Sequence, residues 1–511
     1  MKQLSPSFLL PITLQRSNPP CSLAEQIANE VRSLIDSKQL QPGDQLPAQR
    51  ALSSQLKVGR VTVMAAYNRL TEEGYLVTRV GSGTVVTDHL PLSEAETWTA
   101  SFEGSLSSKR LNRLSQHMPL AAKASHYRPQ KGIPFAIVTP ENTLLPGKKW
   151  EQIVSRVSRS PWLHNGYSEP AGYKPFRIAI ADYLRRTRGV VCSHEQLIIT
   201  NGIQQGLHLC AQLLFNQNDT IFVENPGFPV HRDLLTYTGL KTQPVPIDEN
   251  GIKVNQFTKL SHEAKGALVT PSHQYPLGTL MTLDRRQELL EWAYATNSWI
   301  IEDDYDSELR YGGAPYPALQ SLDLSREAVI YLGTFTKMIY PGFGLGYMVV
   351  PKILIDAFVG AKFLNDRHAS EVHQVILTEF INDGFYEAHI RRLKLIHERR
   401  RQAMFSACKK YLSTWGQIIP TNQGTHLTFV FHEFCNDIAV AQYLQKNASL
   451  ELKPLSDCYC ENADQSGFLL GFGGFSEDQI NSSIKRLADE LTKLNEAGFN
   501  TLEVASSART A

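Results

Sequence analysis

The stretch Tyr331-Leu-Gly-Thr-Phe-Thr-Lys337-Met-Ile-Tyr-Pro341-Gly342 decides how this chain is read. An apolar run of strand character ends in small and hydroxyl residues, then a lysine, then a proline that breaks the chain. A lysine at a strand end, kept close to neutral and flanked by hydroxyls that reach a phosphate, is what a Schiff-base site for pyridoxal phosphate requires. The first ninety residues carry a different pattern altogether.

With 511 residues, the chain is longer than one typical core supports, so two or more domains are expected. Hydrophobic residues at 42% and charged residues at 20% suit a globular protein in water. No apolar run approaches the ~20 residues of a membrane helix. The trio Phe8-Leu-Leu10 is too short for a signal-peptide core. Seven cysteines, an odd number scattered over the chain, argue for a reducing cytoplasm rather than a disulfide framework. Cys458-Tyr-Cys460, the one close pair, reads as structural. The net charge of +1 excludes a general polycation, so any contact with nucleic acid needs a local patch.

Residues 22–87 form one unit. Leu23 to Ile35 repeats apolar residues at helical spacing, Gln41-Pro-Gly-Asp44 is a turn, and Gln49 to Leu56 is a second short helix. Lys57-Val-Gly59 connects it to a third helix from Arg60 to Glu73, with Val63, Ala66, Tyr67 and Leu70 on one face. Tyr75 to Arg79 and Thr84 to Thr87 alternate as strands around Val80-Gly-Ser-Gly83. This is the order of a winged helix-turn-helix. Residues 88 to about 132 have no clear period. From about 133 to 495 short apolar strands at Leu197–Thr200, Thr220–Val223, Gly266–Thr270, Trp299–Glu302 and Val329–Leu332 alternate with helices such as Ile203–Phe215 and Leu283–Asn297. That pattern predicts a mainly parallel sheet with ligands at the carboxyl ends of its strands. The predicted division is 15–88, a linker at 89–132, a large domain at 133–495, and a tail at 496–511.

In a helix-turn-helix the first residues of the second helix of the motif face base edges. Here these are Arg60, Val61 and Thr62. Arg50 opens the preceding helix within reach of phosphate. Arg79 and Gly81-Ser82-Gly83 form the wing, where glycines let backbone approach a sugar-phosphate edge. Residues 1–90 hold nine Lys and Arg against seven Asp and Glu, so nonspecific attraction is modest. A dimer reading two half-sites would restore affinity.

Pyridoxal phosphate needs a lysine, a carboxylate for its ring nitrogen, a stacking ring and a phosphate cup. Lys337 is the Schiff-base candidate. Asp303, in Ile300-Ile-Glu-Asp-Asp-Tyr-Asp306, ends an apolar strand and is the partner for the ring nitrogen, with Tyr305 for the ring hydroxyl. The same acids suggest a metal, but no histidine is nearby in sequence, and a strand turns successive residues to opposite faces. Phe228, in Glu224-Asn-Pro-Gly-Phe-Pro229, is the stacking candidate. Thr200-Asn-Gly-Ile-Gln-Gln205 follows a strand and opens a helix, whose free amides at Ile203 and Gln204 suit a phosphate. Thr334 and Thr336 add hydroxyls from the lysine side.

These motifs carry a resemblance. Leu46-Pro-Ala-Gln-Arg50, Val58-Gly-Arg-Val-Thr62, Glu73-Gly-Tyr-Leu76 and Gly81-Ser-Gly-Thr84 look like the GntR-type winged helix. The lysine, acidic and Gly-Phe-Pro segments resemble a fold-type I aminotransferase, together with Tyr167-Ser-Glu-Pro-Ala-Gly172 and Thr270-Pro-Ser-His-Gln-Tyr-Pro-Leu-Gly278. In this order the two resemble the MocR group of bacterial regulators. The resemblance implies an α/β chain: an N-terminal winged helix-turn-helix, then a large PLP-dependent transferase-like domain with a mainly parallel sheet and a C-terminal α+β subdomain. It implies a cytoplasmic homodimer on a double-stranded DNA operator, without a membrane. It further implies pyridoxal phosphate on Lys337 as an internal aldimine, and an amine-bearing metabolite or the cofactor itself as effector. The alternative is an active aminotransferase with an accessory DNA-binding domain.

Three positions depart from the aminotransferase pattern. Gly344 stands where the family carries the arginine that clamps the cofactor phosphate, so Arg310 or another basic group would have to replace it. Gln465-Ser-Gly-Phe-Leu-Leu-Gly-Phe472 lacks the arginine that grips a substrate carboxylate. Tyr275 stands where the enzymes carry asparagine. Together they favour a sensor over a turnover catalyst. Separately, the basic run His389 to Arg401 reads as a solvated helix face, with DNA or a partner domain as the alternative contact.

Overall fold

The computed structural model describes residues 10–16, 21–79, 83–88, 118–124, 134–137, 145, 147–160, 166–313 and 316–496. The chain divides into two compact units, Met1–Leu114 and Ser115–Ala511.

In the first unit the helices Leu23–Asp36, Gln49–Leu56 and Arg60–Glu72 precede a hairpin of β1 (Leu76–Arg79) and β2 (Gly83–Val86). The Ser22 hydroxyl caps the first helix by accepting the Glu25 N–H at 3.2 Å. Ile27, Val31 and Leu34 recur at helical spacing and meet Leu52, Val63, Ala66, Tyr67 and Leu70 in one core, closed by Leu76 and Val86. Each such aliphatic side chain contributes roughly 1.5–3 kcal/mol through burial. The tight connection is made by Lys57, which takes the left-handed conformation at φ 52°, and by Gly59 as the next helix cap. The strands begin one residue away from the sequence reading, at Leu76 and Gly83. Gly81 and Ser82 lie outside the described residues, as do most of 89–132 and nearly all of the tail.

The second unit is built on eight strands: β3 (Leu197–Thr200), β4 (Thr220–Asn225), β5 (Lys241–Asp248), β6 (Gly251–Ile252), β7 (Gly266–Val269), β8 (Trp299–Asp304), β9 (Val329–Thr334) and β10 (Gly346–Val349). Their order is β3-β10-β9-β8-β7-β4-β5-β6, and all but β6 and β10 run parallel. Every residue of β3, β7, β9 and β10 is buried, as a sheet covered on both faces demands. The sequence reading contains no strand at Gly346–Val349. Its antiparallel course follows from the short return through Lys337 and Pro341, since a parallel return needs a crossover of about a dozen residues or more. Gly346 pairs with both Thr200 and Thr334, so the segment that carries Lys337 is fixed at the carboxyl edge of β3 and β9.

A second sheet, β11 (Gly416–Ile419), β12 (His426–Phe431), β13 (Lys453–Pro454) and β14 (Gly467–Gly471), is antiparallel in the order β11-β12-β14-β13. With the helices Asp437–Ala448 and Glu477–Glu496 it forms the C-terminal α+β subdomain. The helix Phe385–Tyr411 packs along Glu477–Glu496. On it, Arg391 and Arg392 are exposed, as a solvated face requires. Arg399 is exposed as well, whereas the last two arginines of the run are structural: Arg400 donates to the Gly473 carbonyl at 2.5 Å, and Arg401 donates to the Thr421 carbonyl at 3.1 Å.

The acids of β8 separate by face. Glu302 accepts the Leu319 and Gln320 amides, both at 2.8 Å. Asp304 pairs with Arg188 at 2.9 Å and accepts the Tyr331 hydroxyl. Asp303 points to the opposite side and pairs with His231 at 3.2 Å. All seven cysteines are free thiols, and Cys458 is buried.

Candidate functional site

A cavity of about 330 Å³ opens at the carboxyl edge of the large sheet. Phe228, Ile203, Gln204, Asp303, Tyr305, Thr334, Thr336 and Lys337 all line it, drawn from four separate segments. The sheet brings them together: β3, β8 and β9 end on this edge, and β4 ends at Asn225, three residues before Phe228.

Lys337 follows β9 by three residues. Burial lowers its amine below the ordinary lysine value; Asp306 and Asp303 oppose that shift, and Lys453 adds to it. A larger fraction of the amine is therefore neutral, the form that attacks a carbonyl. Asp303 is buried. Its Oδ2 faces His231 Nδ1 at 3.2 Å, and its Oδ1 has no hydrogen-bond partner. A buried carboxylate oxygen without a donor is costly, and a protonated pyridine nitrogen supplies the donor it lacks. This residue therefore fits the cofactor's ring nitrogen.

At another part of the wall, Gly202 caps the helix Ile203–Leu214 with φ 83°, a conformation open to glycine. That helix start leaves its first amides without intrahelical partners. Across from β3, the Thr334 and Thr336 hydroxyls lie 3.0 Å apart, and Thr334 also donates to the Leu345 carbonyl at 3.2 Å. Gly344 lines the cavity too, at φ 65°, and a Cβ added there would meet only the Gly342 carbonyl oxygen, at 4.0 Å. Arg310 does not take the arginine's place. Its guanidinium lies over the Tyr316 ring at 3.9 Å, away from the cavity lining. No arginine lines the cavity among the described residues.

Tyr305 donates its hydroxyl to the His273 carbonyl at 3.0 Å, and burial holds the phenol well above its ordinary value. His273 in turn meets Asp306 at 2.8 Å. Phe228 stands edge-on to His231 (4.8 Å between centroids) and to Tyr275 (5.1 Å).

Several lining residues lie outside the sequence reading of the site: Asn201, His231, Asp306, His426 and Lys453. Burial, with the neighbouring His273, pushes His426 down to about 3, so it is neutral at neutral pH. His231 has a local signal, three residues after Phe228 at the start of a helix. Lys453 has none, since it comes from a two-residue strand of the C-terminal subdomain.

In the first unit, Arg60, Val61 and Thr62 occupy the first turn of their helix. Arg60 and Arg50 are exposed, and Val61 is 71% exposed. Arg79 is exposed and paired with Asp88 at 2.5 Å. Gly83 begins β2.

Comparison with known proteins agrees with both halves. Residues 23–86 match the family described as bacterial regulatory proteins, gntR family, and residues 163–487 match aminotransferase class I and II. A probable rhizopine catabolism regulatory protein MocR of Rhizobium meliloti is 32% identical over 486 residues, covering 94% of this chain and 96% of the relative. The HTH-type pyridoxine biosynthesis transcriptional regulator PdxR of Corynebacterium glutamicum is 31% identical over 483 residues, covering 94% and 99%. The structure of kynurenine aminotransferase from Pyrococcus horikoshii, in complex with PMP, superimposes with a TM-score of 0.66 at 25% identity, covering 76% of this chain and 96% of that one.

Fold and motifs together define a bacterial transcriptional regulator in which a GntR-type DNA-binding domain precedes an aminotransferase-like domain. The chain belongs to the MocR-type family of these regulators. The aminotransferase fold implies pyridoxal phosphate as its cofactor, and the GntR domain implies DNA as its partner. No helix among the described residues is long and apolar enough to cross a membrane.

Proposed function

We propose that this regulator holds pyridoxal phosphate on Lys337 and responds, in the cytoplasm and as a homodimer, to an amine-bearing metabolite or to the cofactor itself. The unpartnered Oδ1 of Asp303, on the same cavity wall as the lowered amine of Lys337, is the observation that carries this reading. Bound there, pyridoxal phosphate supplies an aldehyde that captures amines and a ring that withdraws electrons. Asp303 holds the ring nitrogen's proton, oriented by His231. Phe228 packs on the ring and Tyr305 borders its hydroxyl. The amides of Ile203 and Gln204, with Thr334 and Thr336, receive the phosphate. Arg60, Val61 and Thr62 read base edges, while Arg50 and the Arg79–Gly83 wing hold sugar-phosphate. The division into 15–88, a linker at 89–132, 133–495 and a tail belongs to the same proposal. An effector that binds two arrangements of the domains unequally shifts their populations, which makes the protein a switch.

The test is an absorption spectrum of the full-length protein with added pyridoxal phosphate. A visible band lost in Lys337→Ala is expected; a colourless wild-type protein refutes the assignment. In a multiple-turnover assay with amino-acid and 2-oxo-acid pairs, sustained transamination at ordinary enzyme rates would refute the sensor reading.

A further inference from the structure

The cavity holds a cation that the cofactor roles leave unused. Lys453 lies on β13, paired through Lys453↔Leu469 to β14, and its neighbours Leu452 and Pro454 are buried. Strand alternation then turns its side chain the other way, and it lines the cavity with Lys337 and Asp303. Its ammonium sits 5.4 Å from the Phe228 centroid and 5.8 Å from that of Tyr275. Two ring faces hold a cation in place without neutralising it. The Lys453 ammonium forms no ion pair and no hydrogen bond with any described residue. The two acids of the lining face histidines, Asp303 through Oδ2 with His231 and Asp306 with His273, and neither pairs with Lys453. On β14, where the aminotransferase pattern puts its arginine, Gly467 to Gly471 are buried and carry no charge.

We propose that Lys453 is the specificity-determining residue of this cavity, and that it selects a small amine that also carries an anionic group, carboxylate or sulfonate. The amine addresses the Lys337 side and the anion addresses Lys453. The proposal rests on the cofactor reading above. Lysine is a compact point charge rather than a planar fork, so it recognises the charge of the acid more than its shape. An amine without an acid leaves the Lys453 charge unanswered.

The test uses full-length protein loaded with pyridoxal phosphate and three chain-matched probes: 3-aminopropanoate, 3-aminopropane-1-sulfonate and propylamine. The change in visible absorption reports binding. In the wild type both acids bind at least about tenfold more tightly than propylamine. Lys453→Gln loses that margin while still binding propylamine and cofactor, and Lys453→Arg recovers it for the carboxylate. Preference for only one acid identifies which anion the cavity takes and still supports the assignment. A wild type that favours neither acid, or a Lys453→Gln variant that keeps the margin, overturns it. So does a Lys453→Gln variant that loses cofactor affinity, because Lys453 would then serve the cofactor's phosphate. A second readout needs no cofactor and separates this failure from failure of the cofactor site. Sodium propanoate raises the Tm of cofactor-free wild-type and Lys453→Arg protein but not of Lys453→Gln. Equal shifts in all three, including none, overturn the proposal.

Discussion

His231 Nδ1 lies 3.2 Å from Asp303 Oδ2, which leaves Oδ1 of the same buried carboxylate without a donor. The arrangement costs stability in the cofactor-free protein and rewards a ligand that brings a proton to that oxygen. Asp303→Asn should therefore have effects of opposite sign. The Tm of cofactor-free protein rises, because a half-paired buried charge is gone. Affinity for pyridoxal phosphate falls by about tenfold to a hundredfold, the worth of one hydrogen bond to a charged group. Thermal melts with and without cofactor check both, and a variant that binds cofactor as the wild type does would refute the role of Asp303.

Gly344 tests the phosphate end. Its place on the cavity wall and the open space around its Cβ leave room for a side chain. Gly344→Arg supplies the missing fork, worth about 1.5–3 kcal/mol toward a phosphate. The left-handed backbone at φ 65° takes back about 1–2 kcal/mol of stability. Spectroscopic titration should show tighter cofactor binding, by up to about tenfold, in a protein that melts a few degrees lower. Unchanged or weaker affinity would mean that the phosphate sits elsewhere.

Arg60 is exposed in the first turn of its helix and supports none of the core, so Arg60→Ala should leave the Tm unchanged. Its affinity for DNA selected by the wild type from a random pool should drop about tenfold to a hundredfold. Arg79 differs because it is paired with Asp88. Asp88→Ala frees that guanidinium, and DNA affinity and its salt dependence should both increase. Mobility-shift titrations at two salt concentrations distinguish the two variants.

Glu224 makes a pH signature. Burial pushes its carboxyl up to about 7, against hydrogen bonds from the Thr270 amide at 3.1 Å and the Thr270 hydroxyl at 2.5 Å. The folded-state value lies above the ordinary 4.5. Its contribution to stability is thus complete below about 4.5, is lost as the pH rises toward 7, and is flat above. Glu224→Gln removes this loss. The Tm of the variant, relative to wild type, should climb between pH 5 and pH 8 by the equivalent of ~1–3 kcal/mol. A difference independent of pH would show that Glu224 does not change protonation over this range.

Much of the architecture was readable because its elements have strong local periods. The helices at Leu23, Gln49 and Arg60 differ from the sequence reading by no more than a residue at their ends, since apolar spacing and caps mark them. β10 was missed because its four residues are too few to establish a period, although glycines before it and Pro351 after it mark its ends. Lys337, Asp303 and Phe228 drew attention because each ends or follows a strand in unusual polar company. His426 and Lys453 did not, because each is an ordinary residue in an ordinary local context, whereas His231 carries only its nearness to Phe228 as a signal. Arg310, a candidate substitute for the missing arginine, proved to cover Tyr316.

The sequence by itself determined the two-part organisation, the lysine and the acidic strand end. These are statements about residue types and periods along a chain, which local chemistry writes directly. Only the tertiary structure decided that Asp303 keeps one oxygen unpartnered and that Lys453 stands over Phe228 and Tyr275 in the same cavity. Those facts depend on strand order and on the meeting of the two sheets. Contacts across such separations are set by packing of whole elements, and they leave no period in the sequence to read.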